Sequence, residues 1–490
     1  TVSMVLVLFV VSLLSIEFLK LQWMRRQFPP GPTPYPFFGN LLQMNFKIHH
    51  EHLQKMAKNH GNIFTLWLSS TPAVVLQGFQ AVKEGLTAHA EDVAGRPLSK
   101  IFCILTRGNG VMFSNGHLWK QQRRFGLATM RKMGVGKKDQ DYRLQEEAAH
   151  LVEYLQKTNG KPLDPTTPVV YTVANVIGSM IFGHRFSRDD ENFHRLIDSF
   201  DTAAAFLNSI SFFIYELCPW LAGHFLPSVK KLKSCVDFVN GQLAKELESH
   251  KGKRKLDENR DFIDYYLDEI EKTKGDAGAT YDEVNLIQTI SDLFVAGTET
   301  TATTLLWALL YMVIYPDIQG KHIQRDEINC TTAPPQTIMI RLSLRSLWAP
   351  APTLSLGLLQ NIGVSSLKMC AFNNDIHRRK IQIGRVIWLQ KKVRVCMIER
   401  MRRYKTHFQG LIFERRHDRN PLSDCLFHFF PGHRVCMGEL LARMELFIVF
   451  STLLQAFTFT LPEGVKEVNT KFVFGSTMKP PPYQLCAIPR

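Results

Sequence analysis

The sequence predicts a mainly α-helical protein with small β-sheets, preceded by a single N-terminal transmembrane helix. Three observations carry this. From Val2 to Leu21 the chain is almost wholly apolar. Between Gln80 and Thr273, segment after segment repeats apolar residues at helical spacing. Strand-like alternation is confined to short stretches, TLWLSSTPAVVLQ at Thr65–Gln77 and KFVFGSTMKPPPYQLCAIPR at the C-terminal end.

The apolar run comes first. About 20 helical residues cross the ~30 Å hydrocarbon core of a bilayer, and Val2–Leu21 is broken only by serines, Glu17 and Lys20. Arg25 and Arg26 follow at once, so the positive-inside rule puts the rest of the chain in the cytoplasm. A cleavable signal peptide is the alternative. Against it, the basic residues follow the apolar run and no small-x-small cleavage site stands out. The chain begins with Thr1, and Met4 is a further candidate start. PPGPTPYP, Pro29–Pro36, is dense enough in proline to make a stiff, extended spacer. The expected organisation is an anchor over 1–24, a basic and Pro-rich hinge over 25–36, and one large domain over 37–490.

Within the domain, Thr65–Gln77 reads as a hairpin broken at Ser69–Pro72. Helical patterns follow at Gln80–Ala90, Leu118–Met130, Gln140–Lys157, Val169–Phe182, Glu191–Leu207, Val229–His250 and Phe262–Thr273. FLNSISFF, Phe206–Phe213, suits a lipid-like ligand, a membrane contact or an ordinary core helix equally well. KGKRK at Lys251–Lys255 is a solvated loop rather than a nucleic-acid site. A long helix then runs to Pro316, with Thr280 and Glu283 as its capping box. At ~35 residues it would be ~50 Å long, enough to cross a whole domain. In its middle lies AGTETT, Ala296–Thr301. Glycine and β-branched residues make that patch poor helix material, and such a patch often marks a bulge or groove at a functional site. The nine cysteines stand at irregular spacing with no C-x-x-C pair and no disulfide framework, which fits a reducing compartment and gives a zinc site no support.

Chemistry concentrates in FFPGHRVCMGELLAR. Cys436 is preceded by Phe429, Gly432 and Arg434 and followed by Gly438, in the pattern F-x-x-G-x-R-x-C-x-G. Glycine on either side of a thiolate lets backbone lie flat against a planar ligand. Arg434 can meet a carboxylate with a charge-assisted bond. A helix beginning just after Cys436 would offer free N–H groups and a positive dipole end, and both lower a thiol's pKa. A second string, WKQQRR, puts Trp119 and Arg123 four apart on one helix face, and both side chains are good carboxylate donors.

Together these strings resemble the cytochrome P-450 haem-thiolate monooxygenases, in their microsomal vertebrate family 2 type and most of all its subfamily J. The resemblance implies haem b with Cys436 as axial thiolate ligand, flanked by Phe429, Gly432 and Gly438. It implies haem propionates held by Arg96, Trp119, Arg123 and Arg434. Ala296 and Gly297 would form the groove over the iron, with Glu299 and Thr300 as the acid–alcohol pair that delivers protons during oxygen activation. Electrons would come from NADPH-cytochrome P-450 reductase, with cytochrome b5 as a second donor. The substrates would be hydrophobic molecules, fatty acids such as arachidonate or xenobiotics. The location would be the endoplasmic reticulum membrane, with the domain on the cytoplasmic side, in contact with lipid and not with nucleic acid. A haem-thiolate isomerase acting on lipid peroxides is an alternative, although such enzymes need no proton-delivering pair. Phe430 departs from the family, which has a small or polar residue there.

From about Asn329 to His428 the resemblance breaks. This stretch holds 17 Lys and Arg against 5 Asp and Glu, a net of +12 within the chain's total of +15, and four of the nine cysteines. The family's Glu-x-x-Arg helix and aromatic-rich stretch cannot be placed in it. Glu399 and Arg402 match Glu-x-x-Arg, but in a string of basic residues. The stretch reads as translated out of frame or joined at wrong exon boundaries. A third possibility for the whole chain is therefore an inactive product. The anchor is testable by itself. The full chain should sediment with microsomes and resist alkaline carbonate, whereas a chain shortened to begin near Pro29 should extract more easily. Recovery of the full chain in the soluble fraction without detergent would refute the anchor.

Overall fold

The computed structural model describes residues 2–46, 50–97, 99–135, 138–253, 260–317, 319, 432–465, 467–474 and 477–490, with short strands at 368–371, 407–410 and 412–413. The first helix, α1 (Val2–Arg25), is exposed along almost its whole apolar length. Its last turn is not. Leu21 is buried with Phe28, Trp67 and Val74. Arg25 reaches forward to the Gly31 carbonyl at 2.8 Å and the Thr33 hydroxyl at 3.1 Å. The Pro-rich stretch does not stand off as a spacer. Thr65 N–H donates to Pro30 O at 3.2 Å, and a Cβ on Gly31 would collide with the Thr65 carbonyl. Asn40, fully buried, ties Thr33 O to Trp67 N–H.

The expected hairpin is β1 (Ile63–Leu68) and β2 (Thr71–Gln77), antiparallel, with Phe64 opposite Val75. α2 (His50–His60) precedes it. α3 (Phe79–Thr87), α4 (Lys100–Thr106), α5 (Gly116–Lys132), α6 (Lys138–Gln156) and α7 (Thr166–Phe182) follow. Next come α8 (Glu191–Leu207), α9 (Ile210–Leu217), α10 (Pro219–Phe225), α11 (Pro227–Lys253) and α12 (Phe262–Lys272). α13 (Glu283–Ile314) and α14 (Glu439–Ala456) complete the described helices. β3 (Lys368–Ala371) and β4 (His407–Gly410) pair antiparallel, and β5 (Ile412–Phe413) adds to β2 in parallel. β6 (Phe457–Thr460) pairs with β9 (Cys486–Pro489), and β7 (Val473–Phe474) with β8 (Met478–Lys479).

α13 is the central beam. Its first half contributes Leu286, Ile290 and Phe294 to a core shared with α5, α7, α8, α11 and α12. Its second half contributes Ala302 through Val313 to a core shared with α6, α7, α14 and the β6–β9 pair. A helix apolar on all sides belongs inside a protein. α1 and α13 both have the length and composition to cross a bilayer, but α13 is largely buried in the fold and α1 is not. Trp307 is fully buried and donates its indole N–H to Met478 O at 2.7 Å. Burying such a side chain is worth roughly 1.5–3 kcal/mol.

Two expectations about α13 need correction. Its N-cap is Asp282, whose carboxylate accepts from Asn285 N–H at 2.7 Å. Thr280 instead bonds Gln121, backbone at 2.9 Å and hydroxyl at 2.8 Å. An acid at the cap meets both the free N–H groups and the helix dipole, so it outcompetes the threonine two residues earlier. The helix also runs unbroken through Ala296–Thr301. Thr300 and Thr304 hydroxyls donate back to Ala296 O and Thr300 O, each at 2.8 Å, and so remain compatible with helix.

A buried acid stands without a hydrogen-bond partner among the described residues. Glu445 of α14 is 0% exposed, and neither carboxylate oxygen has a hydrogen-bond partner among the described residues. Burial drives its pKa well above the usual range. Glu445→Met fills similar volume without the polar cost and should stabilise the fold by about 1–3 kcal/mol, raising the unfolding midpoint. Thermal melts of the detergent-solubilised full chain would measure this. A lowered midpoint would mean that the carboxylate is satisfied after all.

Candidate functional site

Gly432, the first described residue of the cysteine loop, has φ of +102°, which glycine adopts without steric cost. A Cβ there would strike the Leu86 carbonyl oxygen. Val435 N–H closes the turn on Gly432 O at 3.2 Å. Gly438 then serves as N-cap of α14, with no side chain closing the helix end. Cys436 lies just ahead of that end as an exposed thiol outside any disulfide. Phe429, Phe430 and the Glu399–Arg402 pair lie outside the described residues.

Arg434 turns away from the loop toward the chain between α3 and α5. Its Nε donates to Ala94 O at 2.8 Å, Nη1 to Val111 O at 3.2 Å and Nη2 to Ser114 O at 2.7 Å. Its guanidinium carbon lies 3.9 Å from the centre of the Trp119 ring, a cation–π contact that orients both side chains. Trp119 is 6% exposed, yet its indole N–H has no hydrogen-bond partner among the described residues. Arg96, also buried, shares Asn115 with Arg434, its backbone N–H donating to Asn115 Oδ1 at 2.6 Å. Arg123, one turn beyond Trp119 on α5, lies within electrostatic reach of Cys436. Burial lowers its pKa, and the Cys436 charge opposes that.

On α13, Ala296 and Thr300 are exposed together, one turn apart. Glu299 points elsewhere, its carboxylate accepting from the Thr477 hydroxyl at 2.9 Å and lying 3.2 Å from Lys479 Nζ. Gly297 does not open a groove of its own: a Cβ there would come within 2.6 Å of Ile177 on α7. Its lack of a side chain permits close approach of α7 and α13. The sequence reading missed Asp292. This buried carboxylate accepts from Val111 N–H at 2.7 Å, Met112 N–H at 2.8 Å and Gln288 at 2.8 Å. A lone acid among the apolar residues of a core helix was the available signal.

The chain matches the family described as cytochrome P-450 over residues 29–338 and 423–487. It belongs to the cytochrome P-450 family. Cytochrome P-450 2C29 of Mus musculus is 35% identical over 494 residues, 99% of each chain. Cytochrome P-450 2C23 of Rattus norvegicus is 35% identical over 501 residues, all of this chain and 99% of its own. Cytochrome P-450 2J2 of Homo sapiens is 32% identical over 513 residues, 98% of this chain and 95% of its own. These identities place the chain among microsomal enzymes of the C and J branches without separating the two. The family match passes over 339–422, which lies within the basic stretch.

Cytochromes P-450 are haem monooxygenases that use haem b with a cysteine thiolate as axial ligand. The residues present fit that group. A buried indole N–H without an acceptor, beside two arginines engaged with carbonyl and amide oxygens, is a donor set suited to propionates. An exposed thiol at an uncapped helix end beside an arginine suits a thiolate ligand.

Asp292 holds the 111–112 loop in place, and its environment predicts a pH effect. Burial pushes its carboxyl from 3.8 up to about 6, against the three hydrogen bonds that favour its charge. From 3.8 to about 6 the unfolded chain has released a proton that the folded chain still holds. This group's contribution to stability therefore falls as pH rises through that window. Asp292→Asn should flatten the slope. Asp292→Ala should destabilise by about 1–3 kcal/mol for each backbone N–H left unmet. Denaturant titrations across the window decide it, and an unchanged slope in the Asn variant would refute the assignment.

Proposed function

We propose that this protein is a membrane-anchored haem-thiolate monooxygenase that inserts one oxygen atom from O2 into hydrophobic substrates, fatty acids or xenobiotics. The observation that carries this reading is the meeting of the cysteine loop with Trp119 and, by way of Asn115, Arg96 through Arg434, with Arg123 within electrostatic reach of Cys436. Cys436 would hold the iron. Trp119 and Arg96 would take the propionates with Arg434, and Gly432 and Gly438 would let the loop's backbone come close to the group. Bound there, the haem supplies oxygen activation and transfer. The protein's part is to place and shield. Ala296 would border the substrate. Thr300 and Glu299 would hold and pass protons, which favours oxygen activation over peroxide isomerisation.

The setting follows from α1, which we infer to anchor the chain in the endoplasmic reticulum membrane with the domain on the cytoplasmic face. Exposed Trp220, Leu221 and Phe225 of α10 offer a second apolar contact for lipid or for an incoming substrate. Lys120, Arg124, Arg131 and Lys132 are all exposed on α5. They would meet the acidic flavin domain of NADPH-cytochrome P-450 reductase, or cytochrome b5, through contacts that mainly speed encounter.

A second reading, a chain unable to retain haem, is favoured by one observation: the family match passes over 339–422. A metal ligand needs surrounding groups that hold it in place. Expressed with ample haem, the chain as written should therefore give little reduced-CO spectrum of the thiolate-ligated type. Replacing 329–428 with the matching stretch of a relative should restore it, and adding Cys436→Ala should abolish it again. A strong thiolate-type spectrum from the unaltered chain would overturn the second reading. A restored spectrum that survives Cys436→Ala would overturn the first.

A further inference from the structure

One lysine joins three elements on the α13 side of the fold. Lys479 of β8 lies 2.9 Å from Asp201 Oδ1 on α8 and 3.2 Å from Glu299 Oε1 on α13. Its backbone is not free to wander. Thr477 and Thr303 share a buried hydrogen bond of 2.9 Å, and Trp307 grips Met478 O. The ammonium is thus presented from a backbone held at Thr477 and Met478. Of its two acids, the Asp201 side chain is 52% exposed and that of Glu299 only 16%. One end of the chain of charges faces solvent and the other ends at the helix surface beside Thr300.

We propose that Asp201, Lys479 and Glu299 form an ionic clasp in which Lys479 is a positioning residue. It turns the Glu299 carboxylate toward Thr477 and makes that orientation depend on where α8 sits. The inference rests on the proposed role of Glu299 in supplying protons, but the clasp itself requires no haem. When α8 keeps Asp201 on the ammonium, the two acids share one cation and Glu299 is held by Lys479 and Thr477. When α8 moves away, the whole ammonium charge falls to Glu299 and the solvent-facing end of the chain opens. A substrate that displaces α8 would then change the setting of Glu299 without touching it. Ion pairs that are partly exposed are individually weak, which suits a contact that must exchange.

The test uses the full chain, with or without haem. Carbodiimide labelling of carboxylates, read by mass spectrometry, reports access to Glu299. Hydrogen exchange reports the freedom of α8 around Asp201. Lys479→Met should raise labelling of Glu299 and speed exchange around Asp201, each roughly threefold to fivefold. Lys479→Arg keeps the charge and should stay close to the parent chain. High salt should reproduce the Met phenotype in the parent chain and add nothing to the variant. Glu299 labelling that is the same in the parent and the Met variant would overturn the proposal, as would an Arg variant that behaves like Met. Failure of the monooxygenase reading would leave these results standing, because neither readout passes through the haem.

Discussion

Arg434 ties the cysteine loop to the rest of the protein. Its fork spans three carbonyls, of Ala94, Val111 and Ser114, while its flat face rests on Trp119. Only a planar, multiply donating cation can do both; a lysine could offer a point charge to one of them. The loop is held from below by Gly432 against Leu86 and from the side by this guanidinium. Everything that would bring a ligand to Cys436 depends on those two contacts. An anion arriving at Trp119 must share Arg434 with the carbonyls that position it, so the ligand and the loop are linked through one side chain.

The second constraint is α13. A largely buried helix has little room for polar groups, and several of those on α13 are met by partners from elsewhere in the chain. Asp292 meets the backbone of Val111 and Met112, Thr303 meets Thr477, and Glu299 meets Thr477 and Lys479. These contacts fasten the loop before α5 to one part of the helix and the C-terminal strand segment with Thr477 and Lys479 to another. Gly297 adds to this from the far face, where α7 comes close.

Much of this was legible in the residues. Long helices with steady apolar spacing, such as α7, α8 and α13, were found within a few residues of their ends, because periodicity survives over many turns. The short helices α4, α9 and α10 were not found. α4 has seven residues; Ser99 caps the Phe102 amide locally, but the amides of Lys100 and Ile101 are met by Glu216, more than a hundred positions away. No local pattern announces such a cap. α9 and α10 lie in an aromatic-rich stretch too short for a period to show. The cysteine loop was legible because its glycines and arginine stand at fixed spacing around one thiol. The setting of Glu299 was not, since Lys479 and Thr477 meet it only after the chain has folded back across the beam.

Two buried carboxylates show where the described fold is complete. Asp292 meets three donors, whose hydrogen bonds offset part of the cost of its burial. Glu445, equally buried, has no donor among the described residues. An unmet carboxylate inside a core costs more than its hydrogen bonds could return, so a core that keeps one must compensate from elsewhere or remain strained. Glu445 stands on α14, which starts just beyond the cysteine. The stretch before that loop carries most of the chain's surplus positive charge, and the family match passes over much of it. Charge of the right sign is therefore present in the sequence, but not in the pattern the family uses. That mismatch sits directly upstream of the one residue on which haem ligation would depend.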